Sequence, residues 1–264
     1  MRPCLLYIWL KLPYYTKVNH RFGKQKQKHG KNAMKKNNLI VALDRPSASE
    51  AKIILDKLPE SVEWFKVGLE LFTADGPAAL ALLKEKQKNI FLDLKLHDIP
   101  NTVARAVRAA AAHDVAMLTV HALGGEVMLK AAAEAAKTVG ARAPKIIAVT
   151  ILTSHGQEDL TAVGIRQKIS DQVMALADLA LKSGIDGLVA SVNEAQLLRK
   201  NFGNDFILVV PGIRPAGADT GDQKRVATPA MAVKAGADYL VVGRPIIDAV
   251  NSNSAALAIL KEIG

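Results

Sequence analysis

Cysteine is almost absent from this chain, and long apolar runs are missing. Cys4 is the only cysteine in 264 residues, so no disulfide can form within one chain, and a reducing cytoplasm is the simplest setting. No stretch approaches the roughly 20 apolar residues of a membrane-spanning helix, although 50% of the residues are hydrophobic. The composition therefore predicts a cytoplasmic globular protein with a large core and no membrane anchor.

Acidic residues are missing from the start of the chain. None of the 25 Asp and Glu residues precedes Asp44, whereas ten of the 35 Lys and Arg residues precede residue 38. The net charge of +10 therefore belongs to residues 1–37, and residues 38–264 are neutral. We predict that residues 1–37 are a basic extension that is disordered or in part not translated, because synthesis that begins at Met34 would leave out residues 1–33. The alternatives are an arm that binds nucleic acid or a membrane, or a signal peptide, to which the segment is a poor match.

From Leu39 onward, short apolar segments alternate with segments of helical periodicity. The predicted strands are Leu39–Asp44, Trp64–Leu71, Asn89–Leu96, Val115–Ala122, Lys145–Leu152, Gly187–Ser191, Phe206–Gly212 and Asp238–Gly243. The predicted helices are Ser49–Leu58, Pro77–Gln87, Thr102–His113, Glu126–Val139, Asp171–Ser183, Glu194–Phe202, Pro229–Ala235 and Ser254–Ile263. Eight strand–helix units predict a single-domain (β/α)8 TIM barrel over residues 38–264, with a doubly wound open sheet as the alternative.

The predicted third strand carries charge on one of its two faces. Alternation along Asn89–Asp98 groups the isoleucine and leucine side chains on one face, which suits the surrounding helices. Asp93 and Lys95 then point to the barrel axis, where an unpaired charge is costly. The alternative is an edge strand with a solvated face, but a closed parallel barrel has no such strand. We therefore predict a buried catalytic Asp–Lys pair.

Two neighbouring strands add charges to the same end of the predicted barrel. Within Trp64–Leu71, alternation leaves Lys66 and Glu70 opposite the apolar face, and Asp44 ends the first strand. Catalytic groups of such barrels collect at the carboxyl ends of the strands. Alternating Asp and Lys would hold Lys95 as a cation, and such a group can stabilise a carbanion and then protonate it. Structural ion pairs that fill the barrel are the alternative.

Three later segments are typical of a site for an anionic ligand. Gly243 ends the eighth predicted strand and Arg244 follows it, where phosphate binding recurs in this fold. The seventh strand leads to Arg214 and then to a polar loop, Ala216–Thr228, which we interpret as a closing lid rather than a linker. Thr153, after the fifth strand, offers a hydroxyl to a polar ligand.

A family signature lies in the charged third strand and the residues after it. The segment reads Asp93-Leu94-Lys95-Leu96-His97-Asp98-Ile99-Pro100-Asn101-Thr102, which resembles the Asp-x-Lys-x-x-Asp-Ile-Pro-Asn-Thr signature of bacterial orotidine 5′-phosphate decarboxylases. Supporting motifs occur along the chain in the same order as in that family: Val41-Ala42-Leu43-Asp44, Phe65-Lys66-Val67-Gly68, Thr119-Val120-His121-Ala122, Leu152-Thr153-Ser154, Val210-Pro211-Gly212-Ile213-Arg214-Pro215 and Val242-Gly243-Arg244-Pro245. The resemblance covers residues 39–264. It implies a homodimeric enzyme that converts orotidine 5′-phosphate to UMP, the last step of pyrimidine nucleotide synthesis, with no metal and no organic cofactor.

The resemblance also implies a role for each matching residue. Lys95 protonates C6 of the pyrimidine after carbon dioxide leaves, and Asp93 lies beside the substrate carboxylate. Lys66 and Asp98 complete a Lys-Asp-Lys-Asp array, in which Asp98 and Thr102 come from the partner subunit. Asp44 and Lys66 are implied to contact the ribose, and Thr153 the pyrimidine. Arg214 and Gln223 are implied to contact the nucleotide under the lid, and Gly243 and Arg244 the phosphate.

Two other functions are possible from the sequence. Barrel enzymes such as 3-keto-L-gulonate 6-phosphate decarboxylase and hexulose-6-phosphate synthase share Asp-x-Lys-x-x-Asp, but they resemble metal users with an acidic residue on strand two. Lys66 occupies that place here, and a cation there would repel the metal. The second possibility is a protein that binds nucleic acid through its basic extension, but this explains neither the neutral domain nor the inward charges.

Overall fold

Eight parallel strands close into a barrel, which confirms the predicted fold and excludes the open sheet. The computed structural model describes residues 39–215 and 227–264, so the basic extension and most of the predicted lid lie outside the described residues. The strands are β1 (Leu39–Ala42), β2 (Trp64–Val67), β3 (Asn89–Leu96), β4 (Met117–His121), β5 (Lys145–Val149), β6 (Gly187–Val189), β7 (Ile207–Val210) and β8 (Tyr239–Val242). Neighbours in the sequence pair in parallel, and β8 closes on β1.

Helices follow the strands and surround the barrel. Over the described ranges they are α1 (Ala48–Lys57), α2 (Leu69–Asp75), α3 (Pro77–Glu85), α4 (Pro100–Ala111), α5 (Gly125–Thr138), α6 (Gln157–Ala162), α7 (Ile169–Lys182), α8 (Val192–Phe202), α9 (Pro229–Lys234), α10 (Arg244–Ile247) and α11 (Ser252–Glu262). Every predicted helix is present with ends within two residues of the prediction, whereas α2, α6 and α10 were not predicted. None of the helices in this part of the chain is long and apolar enough to span a bilayer.

Local signals account for several helix ends. The Ser47 hydroxyl accepts the backbone N–H of Glu50 at the start of α1, and the Thr228 hydroxyl does the same for Met231 in α9. These caps satisfy amide groups that have no partner within the helix. Gly184 follows α7 with φ +85, a conformation that glycine adopts without strain, and so lets the chain turn toward β6.

Apolar side chains pack in two layers. The larger layer lies between the strands and the helices and includes Phe65, Leu92 and Leu118. The smaller layer fills the inside of the barrel and consists of Ile40, Ala42, Phe91, Met117, Ile147, Val209 and Val241, with Trp64, Val189, Ile207 and Tyr239 packed against it. Because the barrel interior is packed, open space for a ligand is left only toward its ends.

The second strand is shorter than predicted. It ends at Val67 instead of Leu71, and α2 begins at Leu69. Glu70 therefore lies exposed in the first turn of α2, and the prediction that it faces the barrel interior with Lys66 is wrong. The apolar residues at 69 and 71 continue the alternation of the strand, but Leu71 packs into the outer layer from a helix. Alternation over three residues does not distinguish a continuing strand from the first turn of a helix.

The third strand has its predicted limits but contains an irregularity. Leu92 pairs with Leu118 and Leu96 pairs with Val120, so four steps along β3 face two steps along β4. The excess of two residues preserves the alternation of faces, because side chains alternate with a period of two. Leu96 accordingly packs against the outer layer. Lys95 lies within the irregular stretch with φ +50, which is uncommon for a residue that has a side chain.

Candidate active site

A cavity of about 670 Å³ opens at the carboxyl ends of the strands. One side, formed by β1, β2, β3 and the residues after them, is charged and carries Asp44, Lys66, Asp93 and Lys95. The other side, formed largely by β5, β6 and β7, is apolar and carries Val149, Ile151, Val189 and Val209. A ligand in this cavity therefore meets fixed charges on one side and a hydrocarbon surface on the other.

The four charged side chains form an alternating row, which we call the charge array. Lys66 Nζ lies 2.8 Å from Asp44 Oδ1 and 3.8 Å from Asp93 Oδ2. Lys95 Nζ lies 2.9 Å from the same Asp93 Oδ2. Both ammonium groups thus share one carboxylate oxygen, and each lysine is positioned by at least one carboxylate.

The charge array is only partly accessible to water. The side chains of Lys66 and Asp93 are each 12% exposed, whereas that of Asp44 is 49% exposed. Charges interact more strongly where protein replaces water, so the Lys66–Asp93–Lys95 end of the array is the more strongly coupled. The backbone of Lys95 at φ +50 costs on the order of 1–3 kcal/mol, and such conformations concentrate at functional sites.

Thr119 on β4 is a further polar residue at the charge array. Its side chain is fully buried, and its hydroxyl donates to Asp93 Oδ1 at 2.9 Å. The hydroxyl oxygen of Thr119 in turn accepts the backbone N–H of Lys95 at 2.8 Å. No role was predicted for Thr119. Its position in β4 was the available signal, because it is a lone hydroxyl on the face opposite Leu118 and Val120.

The residues predicted for an anionic ligand also line the cavity. Thr153, Arg214, Gly243 and Arg244 all contribute to its wall. Arg214 is buried, and its guanidinium donates to the carbonyl oxygen of Ile213 at 2.9 Å. Gln223, predicted to belong to the lid, lies outside the described residues.

Arg45 is a cavity residue for which no role was predicted. Its Nη2 donates to the carbonyl oxygen of Ile247 at 2.7 Å and pairs with Asp248 Oδ1 at 2.6 Å. These bonds tie the loop after β1 to α10, which follows β8. Among the described lining residues, five are cationic and three are carboxylates. This excess of positive charge suits an anionic ligand.

His121 lies near the charge array but is poorly suited to proton transfer at neutral pH. Burial, and to a smaller extent the electrostatic influence of His97, Lys95 and His155, lowers the pKa of His121 to about 4. Its Nδ1 accepts the backbone N–H of Leu123 at 3.4 Å, and its ring stacks on His97 with centroids 5.6 Å apart. The imidazole is therefore neutral at pH 7, with the remaining proton on Nε2.

Comparison with known proteins places the chain in a family. A family model described as "Orotidine 5'-phosphate decarboxylase / HUMPS family" matches residues 37–259. The chain belongs to this family. The family resemblance read from the charged third strand is thereby confirmed.

Relatives and solved structures from the family match over most of the chain. Orotidine 5′-phosphate decarboxylase from Moorella thermoacetica is 50% identical over 233 residues, covering 86% of this chain and 92% of the relative. The enzyme of that name from Nostoc sp. is 49% identical over 235 residues, covering 87% and 98%. The crystal structure of orotidine 5′-phosphate decarboxylase from Lactobacillus acidophilus is similar with a TM-score of 0.77 at 40% identity, covering 86% of this chain and 99% of that one.

The family signature divides into two parts in the structure. Asp93 and Lys95 line the cavity, whereas Asp98 and Thr102 do not belong to its wall. Both of these residues are exposed, Asp98 after β3 and Thr102 in the first turn of α4. Asp98 Oδ1 accepts the backbone N–H of Ile99 at 2.6 Å, directly before α4. The single chain thus brings together four charged side chains of the expected site and leaves Asp98 and Thr102 facing outward.

Proposed function

We propose that this protein decarboxylates orotidine 5′-phosphate to UMP and carbon dioxide, without a metal ion or an organic cofactor. The observation that carries the proposal is the Lys95 ammonium, held 2.9 Å from Asp93 in a cavity whose other side is apolar. A fixed cation in a partly buried site can stabilise negative charge developing in the substrate. The names of the relatives support this choice of substrate.

Lys95 has two successive tasks in the proposed reaction. The bond between C6 and the carboxylate carbon breaks, its electron pair remains on C6, and the ammonium stabilises that charge. Lys95 then gives C6 one of its protons, a new C–H bond forms, and the neutral amine recovers a proton from solvent. Asp93 lies beside the leaving carboxylate and, with Lys66, keeps Lys95 in position.

The rest of the nucleotide follows the cavity away from the charge array. Asp44 and Lys66, joined at 2.8 Å, bind the ribose hydroxyls, and Thr153 contacts the pyrimidine. Gly243 and Arg244 bind the phosphate, and Arg214 contacts the nucleotide together with Gln223 from the lid. Binding energy from the distant phosphate can then be used to close the site and orient the reacting carboxylate.

The metal-dependent relatives on this scaffold are a poorer match to the charge array. A divalent ion held by an acidic residue on strand two would meet the Lys66 ammonium here. That ammonium is already fixed between Asp44 and Asp93, at 2.8 and 3.8 Å. A divalent cation placed beside this ammonium would be repelled strongly in a partly buried site.

We also propose that the enzyme is a homodimer in which Asp98 and Thr102 complete the partner subunit's site. Both are exposed and outside the cavity of their own chain. Near them, at the amino-terminal ends of the adjacent helices α4 and α5, large apolar side chains face outward: Ile99 is 67% exposed, Leu123 44% and Val127 70%. Clustered exposed apolar groups are typical of a subunit interface.

One assay tests the reaction. The absorbance of orotidine 5′-phosphate is followed with wild type and with Lys95→Ala, each with and without EDTA. We expect wild type to be active in both conditions and Lys95→Ala to lose nearly all turnover. An inert wild type contradicts the proposed reaction, activity that requires a divalent metal contradicts its cofactor-free form, and near-normal turnover by Lys95→Ala contradicts the role of the lysine.

A mixing experiment tests the shared site. Asp98→Ala and Lys95→Ala are each expected to be inactive alone, but a hybrid dimer contains one site with both residues intact. Mixing the two variants should therefore restore activity at one of the two sites of each hybrid. No recovery, despite subunit exchange verified by mass spectrometry, would contradict the shared site.

A further inference from the structure

Thr119 places a hydroxyl in an otherwise apolar part of the barrel. It has no exposed surface, and Met117, two residues earlier in β4, belongs to the apolar layer inside the barrel. A buried hydroxyl without hydrogen bonds is costly, so its partners determine whether it is tolerated. Here both partners belong to the charge array.

The hydroxyl makes two bonds of opposite sense. It donates its single hydrogen to Asp93 Oδ1 at 2.9 Å, which leaves Oδ2 of the same carboxylate facing Lys95 and Lys66 at 2.9 and 3.8 Å. The oxygen of Thr119 also accepts the backbone N–H of Lys95 at 2.8 Å. That N–H belongs to the irregular stretch between the pairs Leu92–Leu118 and Leu96–Val120, at a backbone φ of +50.

We infer that Thr119 is a positioning residue that orients the Asp93 carboxylate and holds the strained backbone of Lys95. One hydroxyl fixes the plane of the carboxylate, so that one oxygen faces both ammonium groups. Because β3 pairs irregularly with β4 at this point, the same hydroxyl serves as the hydrogen-bond acceptor for the backbone N–H of Lys95. The inference rests on the proposed function, because it assigns to Thr119 the geometry on which proton transfer from Lys95 depends.

Three variants and one control separate this role from simple packing. Thr119→Val keeps the volume but removes both bonds. Thr119→Ser keeps the hydroxyl without the methyl group, and Thr119→Cys differs from the Ser variant only in having sulfur in place of the oxygen. Thr150→Val is the matched control, because Thr150 is equally buried and its hydroxyl donates to the carbonyl oxygen of Val189 at 2.9 Å. That bond lies outside the charge array.

Steady-state turnover of orotidine 5′-phosphate is measured for each variant, with the dissociation constant of UMP and the thermal midpoint. We expect Thr119→Val to lower kcat about 100-fold, since a small displacement of a reacting group has effects of this size. KM and the UMP dissociation constant should stay within about threefold, because the nucleotide contacts remain. Thr119→Ser should restore most of kcat, and Thr150→Val should lower the thermal midpoint without lowering kcat.

Other outcomes overturn the inference. Near-normal kcat in Thr119→Val would do so, and so would a loss of kcat and UMP binding in the same proportion. If Thr119→Val does not fold, the Ser and Cys variants decide, and equal kcat for the two excludes a role for the hydroxyl. Inactive wild type would remove the proposed function and this inference together, whereas active wild type with an insensitive Thr119 removes the inference alone.

Discussion

Gly68 shows that the charge array depends on a missing side chain. It follows β2 directly, and a Cβ atom added there would lie 2.7 Å from Lys66 Nζ and 3.2 Å from Asp44 Oδ1. Its φ of −96 is open to any residue, so the backbone itself does not require glycine. Glycine at this position therefore leaves room for the ion pair between Lys66 and Asp44.

Replacing Gly68 should impair the site more than the fold. We expect Gly68→Ala to lower kcat/KM roughly 10-fold, because the Lys66 ammonium must move away from Asp44. Stability should change little, since only the end of a flexible side chain is displaced. Kinetics and thermal melting test both statements. If Gly68 acts through Lys66, the substitution adds no further loss in a Lys66→Ala background, and additive losses would argue against this mechanism.

His121 should make the fold sensitive to mild acid. Its pKa is lowered from 6.5 to about 4 in the folded protein, first by burial and then by nearby positive charge. The unfolded chain therefore takes up this proton at a higher pH, so stability is complete above pH 6.5 and declines as the pH falls toward 4. His121→Asn keeps an acceptor for the Leu123 N–H and should reduce this decline. An NMR titration that gives His121 a midpoint near 6.5 would refute the prediction.

Single residues of the site differ in how far the sequence could reveal them. Asp93 and Lys95 were predictable because charge on alternate residues of a buried strand has few structural explanations. Thr119 could be noticed but not assigned, since its partners depend on how β3 and β4 pair. Arg45 and Asp248 are 203 residues apart in sequence, and no local pattern links them.

Among the elements, strand starts were easier to predict than strand ends. A helix end with a glycine precedes β6, β7 and β8, whereas apolar residues continue past the end of β2 into α2. The irregular pairing of β3 with β4 leaves no trace in the alternation because it adds two residues. Alternation thus predicted the correct faces of β3 without revealing its strained backbone.

The link between the loop after β1 and α10 should matter for the phosphate end of the nucleotide. Arg45 bonds to the Ile247 carbonyl and to Asp248, and α10 begins at Arg244, the proposed phosphate contact. We expect Arg45→Ala to weaken UMP binding about 10-fold and to leave uridine binding unchanged, because uridine lacks the phosphate. Calorimetry with both ligands measures this difference. Equal losses for UMP and uridine would mean that the link supports the ribose site instead.

Across the whole molecule, the cavity with its charge array and the bonds made by Arg199 lie at opposite ends of the barrel. The charge array and the cavity lie at the carboxyl ends of the strands, whereas Arg199 joins α8 to the segments that lead into β7 and β8. Its guanidinium pairs with Asp238 at 2.6 Å, donates to the carbonyl oxygens of Gly236 and Phe206 at 2.9 and 3.0 Å, and lies 4.4 Å from the Phe206 ring centroid. Arg199 thus connects the end of α8 with two strand starts.

Arg199→Ala should therefore destabilise the fold and spare catalysis. We expect a loss of about 2 kcal/mol in the free energy of unfolding, because a nearly buried cation and its carbonyl partners lose their bonds. Lys182→Ala is the control, since the exposed Lys182–Asp178 pair should contribute less than about 0.5 kcal/mol. Urea unfolding gives the stabilities, and kcat is measured well below the melting temperature. A large fall in kcat while Arg199→Ala is fully folded would show that the two ends of the barrel are coupled.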